Sequence, residues 1–286
     1  MNGIVIGLDP IIVQFGVLAL RWYGLFFALA VMAGVWLGVR ESARKGVNPD
    51  QAQTMAMWAV VGGMIGARLF HVIDRWELYA DAPLRALSVW EGGLAVYGGF
   101  VGGIIAGLAY VLWARLPVWK LLDAVGPGMI LGAAVGRFAC ITNGDAYGAP
   151  ANLPWAFIYT NPAAVLPPEL LGVPLHPYPL YELLFDFAVL ALLWRLRPVF
   201  KVDGLLFITA TGLYALGRFL LTFYRIEKIW FWGLQEAQVV ALAALVAMLL
   251  LLVWRLRTAG RIEPDALVAH LAVGQSSVRP AGSGRM

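Results

Sequence analysis

The chain contains seven windows of about 18 to 22 consecutive, mostly apolar residues, which is the length that a helix needs to cross a bilayer. This feature constrains the fold more than any other. The windows lie at about 22–40, 52–73, 94–113, 121–141, 180–197, 204–224 and 234–254. Only 13% of the residues are charged, about half the fraction of a typical soluble domain. The pattern predicts an all-α polytopic membrane protein with seven transmembrane helices.

The connections between these windows predict the rest of the organisation. Residues 74–93 are too polar to span and favour a short interfacial helix, with Trp76, Tyr79 and Trp90 at the depth of the lipid headgroups. The Pro-rich stretch at about 143–179 is expected to form a small extracytoplasmic cap. Residues 1–260 then make one integral membrane domain, and the polar residues 261–286 are expected to be a disordered cytoplasmic tail.

The distribution of Lys and Arg predicts the orientation. Alternate connections collect 13 of the 21 basic residues on one side: Arg40, Arg44, Lys45, Arg115, Lys120, Arg195, Arg197, Lys201, Arg255, Arg257, Arg261, Arg279 and Arg285. By the positive-inside rule this side is cytoplasmic, with the N-terminus outside and the C-terminus inside. Because the basic residues form no dense run, nothing points to a nucleic-acid partner.

The segment GRFACITNGDAYG, from Gly136 to Gly148, places charged groups at the end of the fourth window. An arginine there is costly unless a partner or a substrate satisfies it. Two readings follow for Arg137. It either pairs with Asp145 and fixes the helix end, or it forms an anion site with Asn143 and Asp145, since guanidinium groups match phosphate oxygens.

The sixth window carries a polar stripe. Tyr214, Arg218, Thr222 and Arg225 recur at i, i+4, i+8 and i+11, on one helical face. Such a stripe is expected to face the interior of the helix bundle or a water-filled cavity. Arg225, near the end, could instead simply reach water. Arg218 lies deeper, so it is the stronger candidate for a site.

The segment GGLAVYGGFVGG is dense in glycine, which allows close approach of another backbone or of a ligand. Tyr97 is its one side chain with a proton to give. The pair Gly62 and Gly66 is more typical of helix packing. The three histidines have no metal-ligand spacing, so neither a metal site nor a cofactor is expected.

Taken together, these segments resemble the bacterial prolipoprotein diacylglyceryl transferases from Leu8 to Leu256. The family signature, approximately G-R-x-x-N-F-x-N-G-E-x-x-G, aligns with Gly136 to Gly148, and DPIIVQFGVLALRWYGL, WEGGLAVYGGFVGG, HPYPLYE and GRFLLTFYR also match. The resemblance implies an enzyme of the bacterial inner membrane that faces the outer leaflet. It would move the diacylglyceryl group of phosphatidylglycerol to the lipobox cysteine of a prolipoprotein, releasing glycerol phosphate.

The resemblance also implies a set of site residues. The expected catalytic residues are Arg137, Arg218, Tyr97 and Tyr23. The expected substrate-binding residues are Arg137, Asn143, Asp145, Gly148, Tyr214, Thr222, Gly98 and Gly99. Besides phosphatidylglycerol and the lipobox segment, the partners are membrane lipids.

Four positions depart from the family pattern. Tyr97 stands where many members have histidine, Cys140 replaces an asparagine, Asp145 a glutamate, and Thr222 a glutamate. The base that removes the thiol proton is therefore open between Tyr97, Tyr23 and a water held by Asp145. Cys140 is expected to be a structural thiol.

Other readings stay open at this stage. One is a family paralogue that acts on another lipid or acceptor. A seven-span receptor would share the orientation but would not need buried arginines. A transporter would predict internal repeats, and none is evident.

Overall fold

The computed structural model describes residues 3–16, 18–88 and 92–276 of the chain. Within this part, seven α-helices account for most of the residues. They are α1 (Trp22–Arg44), α2 (Pro49–Asp74), α3 (Val96–Trp113), α4 (Val118–Asn143), α5 (Tyr178–Leu196), α6 (Leu205–Leu221) and α7 (Glu236–Ser276). All except α5 are long and apolar enough to cross a membrane. The predicted helical, multi-pass architecture is confirmed, whereas the seventh crossing and the orientation stay predictions.

Helix α5 is less apolar because it carries acidic residues inside the bundle. Glu182 and Asp186 lie one helical turn apart, and only 3% and 2% of their surfaces are exposed. Helix α5 packs against both α4 and α6. The charges that lower its hydropathy are therefore directed at neighbouring helices rather than at lipid.

Helices α2 and α3 pack backbone against backbone. Gly66 lies against the carbonyl oxygen of Gly98, and Gly102 lies against that of Gly62. The approach is so close that a Cβ at any of these positions would overlap the facing helix. The small-residue pattern thus serves helix packing, as the sequence predicts for Gly62 and Gly66.

In the described part of the chain, four short strands depart from the all-helical prediction. Strand β1 (Ile4–Ile6) pairs in parallel with β4 (Phe157–Tyr159), and β2 (Ile11–Phe15) pairs antiparallel with β3 (Leu18–Arg21). These segments are too short to span a bilayer, and their backbone groups still need hydrogen-bond partners. The β-branched residues of β1 suit an extended backbone, so the partner strand of the cap supplies those bonds.

The connection between α4 and α5 folds as an ordered cap. Phe157, Tyr159, Leu166 and Leu175 form a small buried apolar cluster there, against which Ile6 packs. The N-terminal strand therefore helps to build the cap. Its place outside the cytoplasm stays a prediction.

Ion pairs join the helix ends that the sequence assigns to the cytoplasm. Lys45 contacts Asp123 at 2.5 Å and Asp203 at 3.0 Å. Glu41, at the end of α1, contacts Arg197 beyond α5 at 2.7 Å. Asp123 and Glu41 are buried. Some of the basic residues used to predict orientation thus also hold helices together.

The described residues between α2 and α3 form two short 3-10 turns, Trp76–Leu78 and Pro83–Leu87, rather than one interfacial helix. Trp76 is exposed, as an interfacial residue would be, but Tyr79 is buried. Trp90 lies outside the described residues. Tyr79 is buried because its ring packs against the Arg68 guanidinium, 5.3 Å from the ring centre, and against His71.

The last helix is longer than the sequence predicts. Helix α7 continues past the predicted span to Ser276. Residues 261–276 of the expected disordered tail are therefore helical, and residues 277–286 lie outside the described part.

Candidate active site

Two arginines from different helices meet at one buried carboxylate. Arg137 of α4 places Nη2 2.8 Å from Oε2 of Glu182, and Arg218 of α6 places Nη1 2.6 Å from Oε1. The side chains of Arg137, Arg218 and Glu182 are 14%, 22% and 4% exposed. The structure therefore brings together the two arginines that the sequence singles out, and it adds the carboxylate of α5 between them.

Part of this cluster lacks hydrogen bonds. The buried atoms without a hydrogen-bond partner, among the described residues, include Arg137 Nε, Glu182 Oε2 and Asp186 Oδ2. The contact of Glu182 Oε2 with Arg137 lies within ion-pair distance but lacks the angles of a hydrogen bond. Arg137 therefore has an unused donor, and an added anion with several acceptor oxygens could satisfy it.

Residues of α5 and α6 surround Arg218. The Tyr178 hydroxyl accepts a hydrogen bond of 2.9 Å from the Arg218 Nη1 group. Thr222 is fully buried, and its hydroxyl donates to the Arg218 carbonyl oxygen at 2.6 Å. Tyr214 lies within electrostatic range of Arg137 and Glu182. Tyr214 is thus placed at the cluster, whereas the Thr222 hydroxyl is committed to the turn that ends α6.

The signature loop begins where α4 ends. Gly144 takes a left-handed conformation with φ of 78° and caps the helix, a role that suits glycine. The Asn143 amide donates to Asp145 at 3.3 Å. Asp145 forms no ion pair within 4.0 Å among the described residues, and the carboxylate that contacts Arg137 is Glu182. Of the two readings of Arg137, the pair with Asp145 is therefore not formed, because α5 supplies a closer partner.

Asp145 nevertheless interacts electrostatically with Arg225 and Arg137. Burial raises the pKa of its carboxyl above the ordinary value, and the hydrogen bond from Asn143 and the charges of Arg225 and Arg137 oppose that rise. Asp145 thus lies at the rim of the cluster.

Gly148 joins the cap to the end of α6. Its backbone pairs with that of Arg225. A Cβ at this position would stand 2.6 Å from the His176 carbonyl oxygen and 2.8 Å from that of Tyr224. Only a glycine fits between these segments, so its visible role is to let the cap dock.

Arg225 forms an ion pair instead of merely reaching water. Its guanidinium contacts Glu227 at 2.5 Å, and its side chain is 18% exposed. Arg218 Nη2 lies 3.9 Å from the same carboxylate. The Arg225–Glu227 pair therefore borders the central cluster without being part of it.

The two candidate tyrosines occupy different places. Tyr23 on α1 is within electrostatic range of Asp145, Cys140 and Arg137. The Tyr97 hydroxyl on α3 donates to Glu236 on α7 at 3.2 Å. Neither hydroxyl hydrogen-bonds an arginine of the cluster among the described residues. Tyr23 is thus placed on the Arg137 side, whereas Tyr97 joins the ends of α3 and α7.

Gly98 and Gly99 face α2. A Cβ on Gly99 would stand 3.6 Å from the Ala67 side chain, and one on Gly98 would overlap the Gly66 carbonyl. Close packing therefore requires glycine at position 98, whereas a Cβ at position 99 would make only ordinary contacts with α2. Their contact with substrate stays a prediction that this packing does not support.

Arg68 shows how another arginine of the bundle is satisfied without a ligand. It is 7% exposed and donates to backbone carbonyls that precede α3, including those of Ala86 at 2.7 Å and Gly92 at 2.6 Å. Its donors are occupied, so Arg68 is a structural anchor. Arg137 differs from Arg68 in this respect, because its buried Nε has no hydrogen-bond partner among the described residues.

Glu182 was not predicted from the sequence as the meeting point of the two arginines. The apolar pattern places it only at the start of the fifth window. Tyr178, Glu182 and Asp186 recur at i, i+4 and i+8, the same spacing that identified the stripe on α6. That signal was available in the sequence.

Cys140 lies beside the cluster. Its sulfur is 3.9 Å from Arg137 Nη1, a weak contact of the kind expected for a thiol. Among the described residues, no group of three His, Cys, Asp or Glu side chains comes together as a metal site would require.

Comparison with known proteins gives consistent matches. A model of the family described as prolipoprotein diacylglyceryl transferase matches residues 10–254. A protein of Nostoc sp. named phosphatidylglycerol–prolipoprotein diacylglyceryl transferase is 36% identical over 274 residues, which cover 93% of this chain and 95% of that protein. Proteins of the same name are similar in Trichormus variabilis, with 38% identity over 86% of this chain and 89% of that protein, and in Halalkalibacterium halodurans, with 33% identity over 92% and 91%.

Proposed function

The chain belongs to the prolipoprotein diacylglyceryl transferase family, and on this basis we propose that it is a phosphatidylglycerol–prolipoprotein diacylglyceryl transferase. It moves the diacylglyceryl group of phosphatidylglycerol to the thiol of a lipobox cysteine. The products are a thioether-linked lipoprotein precursor and glycerol phosphate.

The observation that carries this proposal is the meeting of Arg137 and Arg218 at Glu182, inside a bundle of apolar helices. Two guanidinium groups at such a place provide fixed donors for a phosphate group. The lipid phosphate is the charged part of the substrate and remains with the leaving group. Arg137 and Arg218 are therefore assigned to bind it.

The reaction exchanges one bond for another at a glycerol carbon. The sulfur of the lipobox thiolate attacks the carbon that bears the phosphate oxygen. A C–S bond forms as the C–O bond breaks, and the electron pair of that bond stays on the phosphate of glycerol phosphate. Negative charge thus grows on the phosphate in the transition state. Arg137 and Arg218, largely screened from water, stabilise that charge.

The thiol must lose its proton before it attacks, because a free cysteine is only a few per cent ionised at neutral pH. The candidates are Tyr97, Tyr23 and a water held by Asp145. Tyr23 and Asp145 lie on the Arg137 side of the cluster. Tyr97 would have to exchange its contact with Glu236 for one with the thiol or the phosphate.

The remaining substrate contacts are proposals of the same kind. Tyr214 is within electrostatic range of Arg137 and Glu182. Asn143 and Asp145 line the loop above it, and Gly148 and Thr222 shape that loop and the end of α6. Contacts at Gly98 and Gly99 have the least support, as their faces are filled by α2.

The placement in the membrane completes the proposal. With α5 as a seventh crossing, the N-terminus lies outside and the C-terminus inside. The cluster then faces the outer leaflet of the bacterial inner membrane. Secreted prolipoproteins present their lipobox there, so lipid and peptide meet at the same level.

The test is transfer in vitro. Purified protein is mixed with phosphatidylglycerol and a synthetic lipobox peptide, and the mass of the peptide is followed. We expect a gain of one diacylglyceryl group, with equimolar release of glycerol phosphate. A peptide with serine in place of the lipobox cysteine is the matched control and should not react. Absence of any gain with folded protein and both substrates would refute the proposal.

A further inference from the structure

The cluster contains an anion of its own. Glu182 is 3% exposed, and its two carboxylate oxygens face different arginines, Arg218 at 2.6 Å and Arg137 at 2.8 Å. A carboxylate in this position resembles part of a phosphate group. It occupies one side of each guanidinium before any substrate arrives.

The charges in direct contact leave one unit of positive charge. Arg137 and Arg218 contribute two positive charges, and Glu182 contributes one negative charge. Glu227, 3.9 Å from Arg218, is paired with Arg225 at 2.5 Å, and that pair is neutral. Asp186, one turn further along α5, is buried and within electrostatic range of both arginines, but it forms no ion pair within 4.0 Å among the described residues, so it is not in direct contact with them.

We propose that Glu182 sets the charge of the anion that the site retains, so that the phosphodiester of the lipid is held and the phosphomonoester of the product is released. This inference rests on the proposed function. The lipid phosphodiester is a monoanion, which balances the single positive charge. Glycerol phosphate is mostly a dianion above its second pKa of about 6, so it leaves an excess negative charge.

The balance favours the monoanion for a physical reason. The Born cost of removing an ion from water rises with the square of its charge. The attraction of a dianion to one net positive charge is only twice that of a monoanion. In a site largely screened from water, the separated dianion product therefore loses more than it gains, whereas in the transition state the growing charge is still shared between the phosphate and the attacking sulfur. The product is displaced once the C–O bond has broken, which lets the next lipid bind.

A purely structural role of Glu182 makes a different prediction. If the carboxylate only holds the arginines in place, its replacement weakens the binding of every anion. If it sets the charge, Glu182→Gln adds one net positive charge and strengthens the binding of the dianion. The two roles therefore predict changes of opposite sign.

The experiment measures inhibition of transfer by glycerol phosphate, and its direct binding by titration calorimetry, in wild type, E182Q, E182D and D186N. We expect glycerol phosphate to bind E182Q roughly tenfold more tightly, or more, because one charge is added at contact distance. E182D keeps the charge and should show no such gain, whereas D186N removes a carboxylate that is further from the arginines and should give a clearly smaller gain than E182Q.

The outcomes separate the possible failures. Unchanged or weaker binding to folded E182Q overturns the inference, as does an equal gain in D186N. If E182Q does not fold, the wild type carries the test: soluble glycerophosphoglycerol, a monoanion, should bind at least as tightly as glycerol phosphate, and the reverse order overturns the inference. If the wild type transfers no diacylglyceryl group at all, it is the proposed function that fails.

Discussion

Replacing Arg218 by lysine tests whether the planar guanidinium, and not only its charge, is required. Arg218 Nη1 donates to the Tyr178 hydroxyl at 2.9 Å and to Glu182 at 2.6 Å, while Nη2 lies 3.9 Å from Glu227. A lysine keeps the charge but carries a single nitrogen at its end, without the fork.

The magnitude follows from the hydrogen bonds that a lysine cannot make at this position. A hydrogen bond to a charged group contributes about 1.5–3 kcal/mol. If one such bond to the phosphate is missing in the transition state, kcat/KM should fall by roughly 10-fold to 150-fold. Arg225 contacts one carboxylate, Glu227, at the border of the cluster. Arg225→Lys keeps that pair and should change transfer by less than about threefold.

The assay compares initial rates of peptide lipidation for Arg218→Lys, Arg225→Lys and wild type at the same detergent and lipid concentrations. Thermal unfolding of each variant shows whether it is folded. Equal tolerance of lysine at both positions would refute the reasoning, because it would mean that charge alone suffices at Arg218.

Three other perturbations follow from the structure. Tyr97→Phe should strongly lower turnover, and Tyr97→His should restore part of it. Glu236→Gln keeps the Tyr97 hydroxyl and should lower turnover less. Wild-type turnover in Tyr97→Phe would mean that the hydroxyl is not used. Gly66→Ala should lower the unfolding temperature, because the added Cβ overlaps α3. Gly24→Ala is the control and should leave the unfolding temperature unchanged, because no atom lies within 4 Å of a Cβ at that position; equal unfolding temperatures of the two variants contradict the packing account. Because burial raises the pKa of Asp145 in the folded protein, the contribution of Asp145 to the free energy of unfolding should fall as pH rises above its ordinary pKa of 3.8. Asp145→Asn should remove this part of the pH dependence, measured from denaturation curves at several pH values, and an unchanged pH dependence contradicts the account.

The sequence predicts the helices because a bilayer requires long apolar segments. It also singles out Arg137 and Arg218, since an arginine within such a segment needs a reason to be there. Both predictions depend on local sequence and on the solvent around the helix. The structure places the two arginines at one carboxylate, which agrees with the expectation that they line the same site.

The partner of Arg137 depends on packing between helices, and the sequence offered Asp145 only as one of two readings. Asp145 is close in sequence, but Glu182 of α5 is closer in space because α4 and α5 pack side by side. The short strands were missed for a similar reason. Three residues such as Ile4 to Ile6 become a strand only when the cap supplies a partner.

Transfer by a folded Arg137→Ala variant is the measurement that tests the central claim most directly. Arg137 contacts Glu182 and has an unused buried donor, so the account assigns it to the lipid phosphate. We expect this variant to unfold at a temperature close to that of wild type, since Glu182 keeps Arg218 as a partner, and to add no diacylglyceryl group to a lipobox peptide. A folded Arg137→Ala protein that transfers at nearly the wild-type rate would contradict the account.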